Sequence, residues 1–433
     1  MGNHCLNRFC PKRIKTQKKI TQKSTSKNIQ SLCVVRLKEA KSMKLTKQEI
    51  LLRREKFIRT MNQVHGDWDY ALFISKVNQY YFTGTIQNGM FVIRKNGDSF
   101  FFVRKSAERA KMESPVTDNI YPIKSYRDCV GIIDDNLGNA YIEDEIFSYA
   151  VLSRFQKYIK IEKIHSVEKV ISFVRAVKSD YELHFMREAG KQASIMMNEI
   201  APTLMKEGMS EAEFVGLMYV EMIRRGYQGV SRISAFQTEF AGGNYSFGEN
   251  MLLPTNFDGP GGWCGNCPAY PGGGNHNRKL KKGDLVFVDM CFGMEGYHTD
   301  KTQIFSFGAK PSEEVLKAHD FCKNLIYTVS KKLVAGAIPS KIYEETLDLL
   351  SENEMYGFMN GVKFLGHGVG LYIDEFPAIA KGFDMPIVEN MTIALEPKKR
   401  IEGVGLVGVE ETYHITKNGA ISLTGEPKDI IVV

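Results

Sequence analysis

Leu285-Val286-Phe287-Val288-Asp289 is an unbroken apolar run that closes on a carboxylate, and His298-Thr299-Asp300 brings a second acid eleven residues later. Gly293 and Gly296 lie between them as turn signals. The pattern predicts two strands joined as a hairpin, with Asp289 and Asp300 at one end of a sheet. Two acids held that close repel, and one would stay protonated unless a cation offset the repulsion. His298 and Asp300 are two apart, so strand alternation turns both to the same face.

Working outward, three more polar residues sit where apolar runs stop. Gly366-His367-Gly368-Val369-Gly370 sets an imidazole between glycines, which would allow close approach of a ligand to the backbone. Leu395 precedes Glu396, and Val409 precedes Glu410 and Glu411. Four carboxylates and one imidazole form an oxygen-rich set suited to divalent Mn, Co, Fe or Zn. Such a set can hold two ions with an activated water between them, placed to attack a carbonyl.

These words resemble those of the pita-bread metallopeptidases, the family of methionine aminopeptidase, Xaa-Pro aminopeptidase, prolidase and creatinase. The matching stretches are Gly283 to Asp289, Gly296 to Thr302, Gly366 to Leu371, Ala394 to Pro397 and Val409 to Thr412, and Lys178 to Glu182 also looks like the family's. The resemblance implies that Asp289 chelates one ion, that Asp300 and Glu410 bridge two, and that His367 and Glu396 complete the second. It implies two divalent ions, Mn first with Co, Zn or Fe as the other choices. A metal-bridged hydroxide would attack a peptide or amide carbonyl while Glu396 or a neighbour relays the proton. Asn78 to Gly84 is similar to the smaller N-terminal domain of the creatinase, prolidase and Xaa-Pro branch. The expected fold is therefore α/β (α+β), with a pita-bread catalytic domain over 176–433 behind a creatinase-type α/β domain over 44–175. A homodimer is expected on the same ground.

The chain departs from the family at two histidines that bind substrate and move protons. One belongs near Thr255, after Gly248-Glu249-Asn250, where this chain has none. The other would fall seven residues after His367, where Asp374 stands. Asp374 would instead attract a cationic substrate group, and His298 would supply the missing proton shuttle. These losses leave open a non-peptide small molecule as substrate, since family relatives hydrolyse ectoine or cleave dimethylsulfoniopropionate. They also leave open an inactive binding module, as in fold relatives that serve histone chaperones or ribosomes.

The rest of the 433 residues bounds these readings. The net charge of +7 is concentrated in 1–43, where eleven Lys and Arg face one acid, Glu39, so the remainder is net negative. That segment reads as a disordered tail, and nucleic acid is excluded as a partner except through it. No stretch approaches a membrane-spanning length. Eight cysteines without a secreted spacing point to reduced thiols and a cytoplasmic home. The pair Cys264 and Cys267 lacks a second pair that would complete a zinc site, and His276 in the same Gly-rich stretch is a weaker candidate for chemistry.

Among the elements, a helix is expected over Thr46 to Asn62. Strands are expected at Tyr70–Ile74, Tyr80–Phe82, Met90–Ile93, Ser99–Val103 and Ile161–Ile164, with a helix from Ser148 to Ile159. Tyr181 to Met205 reads as helix. So does the segment opened by Ser210 and Glu213 and stopped by Gly226, with Phe214, Leu217, Met218 and Met222 as its buried stripe. Phe236 to Asn277 reads as one long functional loop. Helices from Ser312 to Leu333 and Ser340 to Ser351 precede the final strands.

Overall fold

The computed structural model describes residues 43–235, 238, 242–255 and 258–433. The basic segment 1–42, with its reading as a tail, lies outside the described residues.

The first helix, Lys47–Val64, starts where Thr46 accepts a hydrogen bond from the amide of Glu49. Six strands follow: β1 (Tyr70–Phe73), β2 (Gly89–Arg94), β3 (Ser99–Val103), β4 (Ile120–Pro122), β5 (Asn139–Ile142) and β6 (Lys163–Ser166). They form one mixed sheet in the order β4-β3-β2-β1-β5-β6, antiparallel from β1 to β3 and parallel elsewhere. Tyr80–Phe82 corrects the sequence reading, because it lies within the helix Lys76–Thr83. Ser75 caps that helix through the Asn78 amide, and Gly84 closes it at φ 75°. Caps at both ends outweigh the strand preference of three aromatic residues.

Beyond residue 240 come β7 (Gly243–Phe247), β8 (Leu285–Met294), β9 (Tyr297–Ser306), β10 (Phe364–Gly368), β11 (Glu375–Ala380), β12 (Thr392–Leu395), β13 (Lys398–Ile401), β14 (Gly405–Gly408), β15 (Glu411–Thr416), β16 (Gly419–Ser422) and β17 (Ile431–Val432). One sheet runs β17-β9-β8-β7, another β11-β10-β12-β15-β16, and β13 pairs with β14. Helices cover these sheets. Asp180–Ile195 packs on β8 and β9, and Glu313–Ser330 packs on β13 and β14. Leu325, Ile326 and Val329 of the latter join Ile393, Leu395, Tyr413 and Ile415 in one core. The helix Glu168–Ala176 lies against both β11 and the first helix, so it ties the N-terminal portion to a wall of the second one.

Three further expectations change. The hairpin β8–β9 continues well past Asp289 and turns at Glu295 and Gly296, both at positive φ, so the two acids stand mid-ladder and not at a sheet end. The supposed long loop holds β7, which pairs with β8 and sets Asn244 opposite Asp289. On the helix Glu211–Arg224, Phe214, Met218 and Met222 are buried at four-residue spacing, but Leu217 is 42% exposed beside exposed Val220 and Ile223. The stripe is narrower than the apolar content of the helix.

Candidate metal centre

All five expected donors line one cavity. Cys291 pairs with Asp300 and Asp289 with Thr302, so Asp289 and Asp300 are diagonal neighbours on one face of the hairpin. The Asp300 carboxylate is held by the Lys301 amide at 3.0 Å and by the Cys291 thiol at 3.3 Å. Glu410 arrives between β14 and β15 by bridging to Thr302, whose hydroxyl donates to Glu410 Oε2 at 2.8 Å. His367 lies on β10 against Ala394 of β12, and Glu396 follows β12 directly. His367 Nε2 stands 3.5 Å from Glu396 Oε1 and 3.9 Å from Glu410 Oε1.

The glycines around His367 have a different task from the one the sequence suggested. A Cβ on Gly366 would run into the Ala394 carbonyl, and one on Gly368 into that of Phe376. They let β10 sit close to both neighbouring strands, which places the imidazole without a loop.

Donor atoms of Asp300, His367 and Glu410 all lie within 4.8 Å of one another. Asp289 Oδ1 and Glu410 Oε1 are buried and make no hydrogen bond among the described residues. Buried acceptors left unmatched cost on the order of 1–3 kcal/mol each. A divalent cation would satisfy both, so the residues fit a metal ion by donor chemistry and by unmet demand. The electrostatics agree. Burial, and then the charges of Glu410 and Asp300, push Asp289 well above the usual carboxylate range. Burial likewise raises Asp300, and it takes Glu410 up to about 8. Glu396 goes the other way: burial opposes its ionised form, but Lys398 and His367 outweigh it and hold the carboxyl low.

Lys398 is the residue the sequence reading missed. It is fully buried, and its ammonium lies 3.2 Å from Glu396 Oε2 and 3.1 Å from Glu410 Oε2. The signal was available: Lys398 is two residues past Glu396 in extended chain, so both face the same way. Around this centre, Lys301 and Glu411 form a fully buried ion pair, with Thr424 also donating to Glu411.

The centre opens into a cavity of about 720 Å³, whose wall includes Asp258, Glu143, Glu145, Glu168 and Asp374. Asp374 lines it as expected, yet both its oxygens already accept hydrogen bonds, from the amide and the hydroxyl of Ser234 at 2.7 and 2.8 Å. His298 does not line it. The ring is fully buried, with Nδ1 2.9 Å from the Gly370 carbonyl and Nε2 3.0 Å from the Gln228 side-chain amide. These partners assign the proton to Nδ1, and burial lowers the imidazole to about 4, so the ring is neutral with both nitrogens engaged. That arrangement turns neither ring nitrogen toward the cavity.

Thr255 is described, but the next two residues are outside the described set. The Gly-rich segment is organised by another missed residue, Glu211. Its buried carboxylate accepts from the amides of Phe247 and Asn275 and from the Asn250 side chain. Cys264 and Cys267 are exposed free thiols, and His276 is exposed on the same segment.

Comparison with known proteins matches residues 53–177 to the creatinase/prolidase N-terminal domain and 184–417 to metallopeptidase family M24. The chain is 27% identical over 396 residues to an Xaa-Pro dipeptidase of Pyrococcus furiosus, covering 88% of this chain and 99% of that one. It is 28% identical over 272 residues to the putative dipeptidase YkvY of Bacillus subtilis, covering 62% and 66%. Its fold is similar to that of an Xaa-Pro dipeptidase from Bacillus anthracis, with a TM-score of 0.73 at 21% identity over 88% of this chain and 100% of that one.

Proposed function

The chain belongs to metallopeptidase family M24, and from that premise we propose that it is a divalent-metal-dependent hydrolase of the Xaa-Pro dipeptidase or aminopeptidase type, cleaving a peptide or amide bond. The observation that carries this reading is the set Asp300, His367 and Glu410 beside two buried acceptor atoms with no partner of their own. Asp289, Asp300, His367, Glu396 and Glu410 are the proposed ligands, in the family's manner for two ions, with Mn²⁺ as the first choice. Bound metal would polarise the scissile carbonyl and make water acidic enough to attack it. Glu396 would take and return the proton, a role supported by its Oε1 lying 3.5 Å from His367 Nε2 while its other oxygen holds the Lys398 ammonium. The cavity has the size of a small-ligand site.

A specific observation favours a second reading, in which the same centre acts on a small cationic amide. The cavity wall carries Glu143, Glu145, Glu168, Asp258 and Asp374, and among the described residues only His367, Arg175 and Lys169 stand against the acids there. Asp374 would then serve as a substrate-binding residue through the second lone pairs of its oxygens. Retention of all five donors weighs against an inactive binding module.

The division near residue 175, a homodimer and a cytoplasmic location belong to the same proposal. Exposed Leu217, Val220 and Ile223 on one helix are an apolar surface that a second copy would cover. Among the described residues no helix is long and apolar enough to cross a membrane.

The deciding experiment follows hydrolysis of X-Pro dipeptides and of small amides in added Mn²⁺, for wild type and Asp289→Ala. Proline-dependent cleavage lost in the variant supports the peptidase. Cleavage confined to cationic amides moves the assignment to the second reading, and inactivity on both with no bound metal overturns the hydrolase.

A further inference from the structure

Lys398 changes the arithmetic of this centre. Lys398 opens β13 two residues beyond Glu396, and its ammonium lies among the acids. Each glutamate is thereby split. Oε2 of Glu396 and Oε2 of Glu410 both hold the ammonium, while Oε1 of each faces His367 Nε2. Glu410 Oε2 also accepts from Thr302, so that oxygen is already saturated. The ammonium lies 5.9 Å from the centre of the Phe287 ring, a further favourable contact for a cation in this pocket.

A second ion would need Glu410 Oε2, and it would have to sit against a buried ammonium.

We infer that this chain holds a single divalent ion, on Asp300, His367 and Glu410 Oε1, and that the Lys398 ammonium stands in place of the second. The inference rests on the proposed metal-dependent reading, and it amends the two-ion count expected from the family. Its physical consequence is that part of the positive charge is built in and cannot be washed out.

Mn²⁺ content after gel filtration, calorimetric titration with Mn²⁺, and the electron paramagnetic resonance spectrum test this directly. Wild type should bind one equivalent and give the signal of an isolated Mn²⁺. Lys398→Met, which removes the charge at similar length, should bind two equivalents with a spin-coupled spectrum. Lys398→Ala serves as the second variant, and circular dichroism checks that each is folded. Two equivalents in wild type overturn the inference without any variant and leave the hydrolase reading intact. One equivalent in both folded variants also overturns it, because the lysine is then not what excludes the second ion. No bound metal in any of them overturns the metal-dependent reading itself, and this inference with it.

Discussion

The guanidinium of Arg175 meets the carboxylate of Glu375 at 3.3 Å inside the protein, joining the helix Glu168–Ala176 to strand β11 beside the cavity. Lys178 reaches the other oxygen of Glu375 at 3.3 Å, and Arg175 also donates to Asn78 Oδ1 at 2.6 Å. Asn78 in turn donates to Glu143. One buried chain of charges therefore runs from the N-terminal sheet to the wall that presents Asp374.

Removing the shared carboxylate leaves two buried cations facing each other. Glu375→Ala is expected to destabilise the fold by about 3–5 kcal/mol, read as a shift of the urea midpoint. A loss under about 1 kcal/mol would mean that solvent or rearrangement relieves the two cations once the carboxylate is gone.

Metal should stabilise the fold, because the unfolded chain has no preformed site. At a hundred-fold excess of ion over its dissociation constant the gain is about 2.7 kcal/mol. Wild type should melt several degrees lower in EDTA than in Mn²⁺, and Asp300→Asn should show almost no difference. An equal response in that variant would place the stabilising ion elsewhere.

Glu168 gives the fold a pH dependence away from the metal ligands. Burial, then the nearby Glu143 and Glu145, raise its carboxyl to about 7. A raised acid contributes stability that is complete below the unfolded value of about 4.5 and is lost as pH climbs through about 7. The group is half-buried, so screening reduces the effect to about 1 kcal/mol. Melting temperatures from pH 4.5 to pH 8 should therefore fall more for wild type than for Glu168→Gln. Parallel curves would show that Glu168 ionises normally.

His298→Gln separates a positioning role from a catalytic one. Loss of the two hydrogen bonds should cost about 1–3 kcal/mol of stability. The pH profile of kcat should keep its shape, with the rate within about three-fold of wild type. Disappearance of one limb of that profile would restore His298 as the proton shuttle.

Much of the centre was legible because its residues sit at the ends of apolar runs, where a carboxylate has no local reason to be. Asp289, Glu396 and Glu410 could be picked out this way, Asp300 by its place in the expected hairpin and His367 by its flanking glycines, and the capping box at Ser210 marked a helix start. The aromatic helix Lys76–Thr83 was misread because short apolar runs have no distinctive period, and its caps decide the matter. Strand β7 was hidden inside Gly-rich chain, since its pairing partner is about forty residues away.

The sequence by itself determined which residues could hold a cation, because donor chemistry belongs to the side chain and its spacing survives folding. Only the tertiary structure decided what each donor is free to do. It folded Lys398 back onto two glutamates, engaged both nitrogens of His298, and turned the glycines around His367 into strand-packing positions. The reason is physical. Charge balance and hydrogen-bond saturation in a buried centre depend on every group within a few ångströms, and most of those groups come from distant parts of the chain.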